Sequence, residues 1–154
     1  MPLLKLHGND LSPALEEPLH EVTLDDWREN PTAHTDATAL VLPNAQSLSD
    51  IKCDLNGFSV VILEFPTFKD GRAYSQARLL RQRYGYTGEI RARGNVLRDQ
   101  LWFMARCGVN AFEFSAENAN DAKTALQEFS YAYQSCADKR APVWRRRFDR
   151  SVAA

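Results

Sequence analysis

Apolar residues recur along this chain in short blocks whose spacing alternates between that of strands and that of helices. Ser59-Val60-Val61-Ile62-Leu63-Glu64-Phe65 is almost continuously apolar and β-branched, the pattern of a parallel strand covered on both faces. Ala39-Leu40-Val41-Leu42, closed by Pro43, is a shorter strand of the same kind, and Ala111-Phe112-Glu113-Phe114 is another. In Glu89-Ile90-Arg91-Ala92-Arg93, Ile90 and Ala92 alternate with charged residues. That predicts a strand with one apolar and one charged face, near a sheet edge or lining a polar cavity.

Between these blocks the spacing becomes helical. Ala73, Ala77, Leu80 and Tyr84 fall on one helix face, with Gly85 placed for a left-handed cap. Leu97, Leu101, Met104 and Ala105 define a second helix, ended by Gly108. Ala122, Ala125, Leu126, Phe129, Ala132, Tyr133 and Cys136 predict a third, opened by Asn118 and Asp121 in a capping-box-like pair and stopped by Pro142. Ser47 or Ser49 caps a brief helix through Leu55, which Gly57 stops.

This order predicts an α/β fold of about four parallel strands alternating with helices. An open doubly wound sheet and half of a (βα)8 barrel both satisfy it. Residues 1–38 read as an N-terminal arm with one short strand near Leu3–Leu6. Within the arm, Thr23 caps a short helix that carries Asp25, Asp26 and the anchoring Trp27. Residues 39–138 form the α/β domain, and 139–154 a basic C-terminal tail.

The length of 154 residues, with 44% apolar and 25% charged residues, fits one globular domain. No run approaches the ~20 apolar residues of a membrane span, and the N-terminus lacks a signal-peptide pattern. A cytoplasmic location is expected. The three cysteines, Cys53, Cys107 and Cys136, are dispersed and form no C-x-x-C pair. They are read as small buried residues, without a disulfide framework or zinc site. The three histidines, in the first quarter of the chain, give no metal site.

Net charge is −1, but it is unevenly spread. Residues 69–98 hold eight Lys or Arg against Asp70 and Glu89, and residues 139–150 hold six against Asp149. The asymmetry points to an anionic ligand or partner. Ligands of parallel α/β folds bind beyond the carboxyl ends of the strands. The loops after the second, third and fourth strands, the last being Ser115-Ala116-Glu117, are therefore the candidate rim. They carry Lys69, Asp70, Gly71 and Arg72, then Asn95, Arg98 and Asp99, beside Arg93 at the strand end. Gly71 lets the backbone approach a ligand, the helix N-terminus favours an anion, and Arg72 or Arg98 adds a bidentate contact. Asp70 and Asp99 are the candidate acid–base groups. The plainer reading has Asp70 capping the helix and pairing with Arg72 or Arg98. No phosphate loop, dinucleotide fingerprint or nucleophile elbow is present, no cofactor is evident, and the arginine-rich tail is weak evidence for nucleic acid.

Two long segments carry a resemblance: Phe65-Pro66-Thr67-Phe68-Lys69-Asp70-Gly71-Arg72 through Arg81, and Gly94-Asn95-Val96-Leu97-Arg98-Asp99-Gln100 with Arg106-Cys107-Gly108-Val109-Asn110-Ala111-Phe112. Over about residues 39–136 the chain resembles a bacterial family known as domain of unknown function nine-three-four. Its members tend to be encoded beside the haemoprotein subunit of assimilatory sulfite reductase and carry the loose label of an oxidoreductase involved in sulfite reduction. The resemblance implies a pathway and brings no catalytic residues. The first expectation is thus an accessory protein that binds the sulfite reductase haemoprotein or its electron donor through a basic surface. A small enzyme acting on an anionic metabolite at the rim, and a carrier of the reductase's tetrapyrrole, are the alternatives.

Overall fold

The computed structural model describes residues 3–8, 10–15, 17–48, 51, 55–114 and 119–146. Seven strands form one sheet: β1 (Leu3–His7), β2 (Asp10–Ala14), β3 (Glu21–Thr23), β4 (Ala39–Leu42), β5 (Val60–Phe65), β6 (Glu89–Gly94) and β7 (Ala111–Glu113). Their order is β2-β1-β7-β6-β5-β4-β3. β3 to β7 are mutually parallel and lie in chain order, while β1 pairs antiparallel with both β7 and β2. The four expected strands are β4 to β7. The sheet is larger than expected because residues 3–23, read as an arm with one short strand near Leu3–Leu6, supply three strands to its two ends. The order contains no reversal of the kind that a doubly wound sheet has at its switch point.

The helices are α1 (Leu24–Glu29), α2 (Arg72–Gln82), α3 (Leu101–Cys107), α4 (Ala119–Ala125) and α5 (Val143–Arg146). Thr23 caps α1, its Oγ1 accepting from Asp26 N–H at 3.2 Å, and Trp27 packs edge-on against Phe58. α2 ends as its glycine predicts: Gly85 has φ +63° and Tyr86 N–H reaches back to the Leu80 carbonyl. The helix expected through Cys136 instead stops at Ala125, and residues 126–142 are irregular. Phe129 stacks on Trp102 and Phe103 of α3, and the Gln134 carbonyl accepts from Arg106 instead of from a helix turn. The brief helix expected from Ser47 or Ser49 falls largely outside the described residues, as do Cys53, the Ser115-Ala116-Glu117 loop and the Asn118 cap. No helix among the described residues is long and apolar enough to cross a membrane.

The two faces of the sheet differ. Leu40, Leu42, Val61, Leu63, Phe65, Ile90, Ala92 and Phe112 point to one face and pack with residues of α1 to α4 in a single core. Burying this layer supplies most of the driving force for folding, at about 25 cal/mol per Å² of apolar surface. The opposite face carries only a small apolar cluster, Ala39, Val41, Val60 and Ile62, with Leu19 laid on it.

That second face is concave. Residues 15–20 alone connect β2 to β3, at opposite ends of the strand order. In a flat sheet six strand spacings of ~4.8 Å would part them by about 29 Å, beyond the ~25 Å reach of the link. The sheet must curl, and its side chains meet across the hollow. Arg93 on β6 donates through Nη1 and Nη2 to Glu21 on β3, three strands away, at 2.8 and 2.6 Å. Its Nε donates to Glu113 on β7 at 2.9 Å. Arg91 donates to Glu89 at 2.7 Å and lies 3.9 Å from Glu113, while Lys5 reaches Glu89 at 2.8 Å. The charged face of β6 is therefore not a sheet edge: β6 is central, and Arg91 is only 3% exposed.

The network has a pH signature. The hydrogen bond from Arg93 holds the Glu21 carboxyl below its ordinary value of 4.5, more than burial raises it. A depressed folded pKa contributes stability that is complete above the unfolded value and lost as pH falls through the folded one. Unfolding free energy is expected to decline below about pH 4.5, and Glu21→Gln to flatten that acid limb. An unchanged limb in the variant would assign the acid sensitivity to other groups.

Candidate functional site

The rim loops lie where strand order predicted, beyond the carboxyl ends of β4 to β6, but their arginines are already engaged. Asp70 precedes α2 and accepts from Arg72 Nε at 3.0 Å, from Arg72 Nη2 at 2.7 Å and from the Arg72 backbone N–H at 3.2 Å. The anion at this helix N-terminus is the protein's own carboxylate. The Arg72 guanidinium holds the Asp70 carboxyl far below the usual carboxylate range, so Asp70 stays ionised at neutral pH and is no proton donor there. Gly71 has an ordinary φ of −88°, and a Cβ there would meet only Tyr74 at 3.9 Å. Its backbone does not require glycine.

Arg98 donates to Asp99 at 3.2 Å and to Glu128 and Thr124 at 3.3 Å each, tying the rim to α4 and the segment behind it. Asp99 is 84% exposed. Among the described residues no hydrogen bond or ion pair joins Asp70 to Asp99, so they form no carboxylate dyad in this structure. Arg93 points into the hollow of the sheet, where Glu21 and Glu113 take its donors. Asn95 turns the chain with its N–H on the Phe65 carbonyl at 2.7 Å. Lys69 is exposed in the preceding loop. Asn44, after β4, is a buried rim residue whose side chain lies beside Asp70 and helps hold that carboxyl low. Among the described residues no group of three His, Cys, Asp or Glu side chains converges as a metal site.

Two cavities open elsewhere, on either side of α3. One, of about 310 Å³, is lined by Leu6, Arg81, Trp102, Asn110, Leu126 and Asp138 among others. Trp102 Nε1 is buried there without a hydrogen-bond partner. Arg81 spans its wall, donating to the carbonyls of Gly108, Tyr86 and Gly88 at 3.0, 2.7 and 2.8 Å. The other, of about 390 Å³, is lined by Tyr74, Arg78, Phe103, Arg106, Cys107 and Cys136, with smaller side chains between them.

α3, the irregular segment and α5 lay aromatic and basic side chains on the surface. Phe103, Phe129, Tyr131, Tyr133 and Trp144 are all exposed. Arg145 stacks on Trp144 and Arg146 on Tyr131, at 5.3 and 5.1 Å from the ring centroids. The sequence reading placed Phe129 and Tyr133 on a core helix and missed this surface. The sole hint was the mixture of aromatics and arginines after Pro142.

The fold and its surfaces define a singly wound α/β domain with a charged hollow on one face and helices on the other. The chain belongs to the family described as "Bacterial protein of unknown function (DUF934)", whose profile matches residues 39–144. No curated protein matches the chain.

Proposed function

We propose that the protein is an accessory factor of assimilatory sulfite reduction that docks on the sulfite reductase haemoprotein or on an acidic electron donor to it. The observation that carries the docking role is the exposed surface of Phe129, Tyr131, Tyr133, Trp144, Arg145 and Arg146. Tyr, Trp, Phe and Arg are the residues that interfaces concentrate, and they dominate binding energy when desolvated. A cationic surface also speeds encounter with an acidic partner. The pathway rests on the family resemblance. The curl and the unreversed strand order favour the half-barrel reading of the fold over a doubly wound sheet. The rim enzyme has less support, because Arg72 and Arg98 spend their donors on the protein's own acids.

Co-purification with the reductase haemoprotein, at low and high salt, tests this. A complex is expected at low salt and a weaker one at high salt, as the ~8–10 Å screening length at physiological ionic strength contracts. Trp144→Ala with Arg145→Glu and Arg146→Glu should weaken the complex at least tenfold without unfolding the domain. Absence of a complex at both salts, with the haemoprotein and with acidic donors alike, would sink the proposal.

A further inference from the structure

Cys107, the last residue of α3, and Cys136, in the irregular segment, are 29 residues apart in the chain and 3.8 Å apart between their Sγ atoms. Both are half-buried free thiols. Arg106 fixes the approach from both sides of Cys136. Its Nη2 donates to the Gln134 carbonyl, its Nε donates to Asp138 Oδ2 at 3.0 Å, and its own carbonyl accepts from Asp138 N–H at 3.2 Å. The guanidinium also rests on the Trp102 ring at 5.0 Å. The residue next to one cysteine thus holds the chain on both sides of the other.

We propose that Cys107 and Cys136 form a redox-active dithiol that exchanges with an anionic disulfide substrate. A disulfide needs Sγ atoms ~2.05 Å apart, so closure asks for a shift of under about 2 Å. Cys136 lies on irregular backbone and Cys107 at a helix end, where such a shift disturbs little regular structure. The thiols line the wall of the 390 Å³ cavity, and Arg78 beside them, whose Nε donates to Gln82 while its Nη groups face no acid among the described residues, suits a carboxylate-bearing reagent.

The roles divide by environment. Cys107 packs against the core at the end of α3, and burial pushes its thiol up to about 12. Cys136 lies on the irregular segment beside the exposed residues 133–135, so it is the thiol an incoming reagent meets, and it attacks first. Its sulfur displaces one thiolate from R–S–S–R, which takes the proton lost by Cys136, leaving a mixed disulfide on Cys136. Cys107 then attacks Cys136 Sγ and displaces the second thiolate, which takes the Cys107 proton. Two protein thiols are oxidised by two electrons, and one disulfide is reduced to two thiols. The bond would pin residues 126–142, and their exposed aromatics, to α3. It does not depend on the docking role above.

The test uses the full chain, reduced and then equilibrated with mixtures of oxidised and reduced glutathione, followed by thiol blocking and peptide mapping. The expected product is a Cys107–Cys136 cross-link, with loss of two hydrogens per chain, reversed by dithiothreitol and unaffected by Cys53→Ser. Cys107→Ser should trap glutathione on Cys136. The proposal is overturned if both thiols of the unmodified chain remain fully open to blocking after equilibration in excess oxidised glutathione. It is also overturned if the recovered linkage involves Cys53 or a second chain. The unmodified chain decides the outcome even if a variant folds poorly.

Discussion

Arg93→Met is expected to lower the unfolding free energy by about 3 kcal/mol, the low end of what removing one partner of a buried ion pair costs. The side chain makes two kinds of pair. Its bidentate contact with Glu21 is about one-third exposed on both sides, at 30% and 36%, and exposed pairs contribute about 0–1 kcal/mol. Its contact with Glu113 is different. Glu113 is 8% exposed, and without Arg93 its nearest cation is Arg91 at 3.9 Å, beyond hydrogen-bond reach. A carboxylate left in that position is the main cost. Glu21→Gln should therefore lose less than about 1 kcal/mol, although it breaks the shorter contact. Urea midpoints at constant slope measure both. Removing Glu113 as well, in Arg93→Met/Glu113→Leu, should recover much of the loss, since no charge is then stranded. Equal losses in the two single variants would show that the Glu21 pair, and with it the curl of the sheet, carries the stability.

The same network shows which parts of the fold were legible. β4 to β7 and the ends of α2 and α3 are local events: an apolar run closed by Pro43, or a glycine at Gly85 or Gly108 where the chain needs positive φ. β1 to β3 are three to five residues long and lean on partners far along the chain, such as Leu4 opposite Phe112. Of the three, only β1 is expected, near Leu3–Leu6; its antiparallel partner β2 and the three-residue β3 show no clear local period. The basic excess between residues 69 and 98 is likewise visible, but its meaning is not. It suggested free cations awaiting an anion. In the fold Arg72 meets Asp70, Arg81 meets three carbonyls, Arg91 meets Glu89, Arg93 meets Glu21 and Glu113, and Arg98 meets Glu128. Half of these acceptors lie 20 or more residues away, so only the folded chain reveals how fully these arginines are engaged. The cysteine pair was hidden for the same reason, made worse by reading Cys136 into a helix that ends at Ala125.

Gly94→Ala should destabilise the domain by about 2–6 kcal/mol, and its comparison with Asp99→Asn separates folding from function in the segment on which the family resemblance rests. Gly94 has φ +106°, and a side chain there carries strain of about 1–3 kcal/mol. A Cβ would stand 2.6 Å from the Phe65 carbonyl oxygen, adding an overpacking cost of similar size. That oxygen cannot retreat: it accepts from Asn95 N–H, and Phe65 is buried in the core at the end of β5. The residues that follow have structural roles too. Gln100 Oε1 accepts from Leu97 N–H at 3.1 Å to start α3, and Arg98 ties the loop to Thr124 and Glu128. Asp99 stands apart, exposed and bonded only to its neighbour Arg98. Asp99→Asn should leave the urea midpoint almost unchanged. If it also leaves sulfite-dependent growth unchanged, this segment is explained by the turn it builds and the rim is scaffold. If growth fails while the midpoint holds, Asp99 acts on something outside the chain, and the rim becomes the place to look for it.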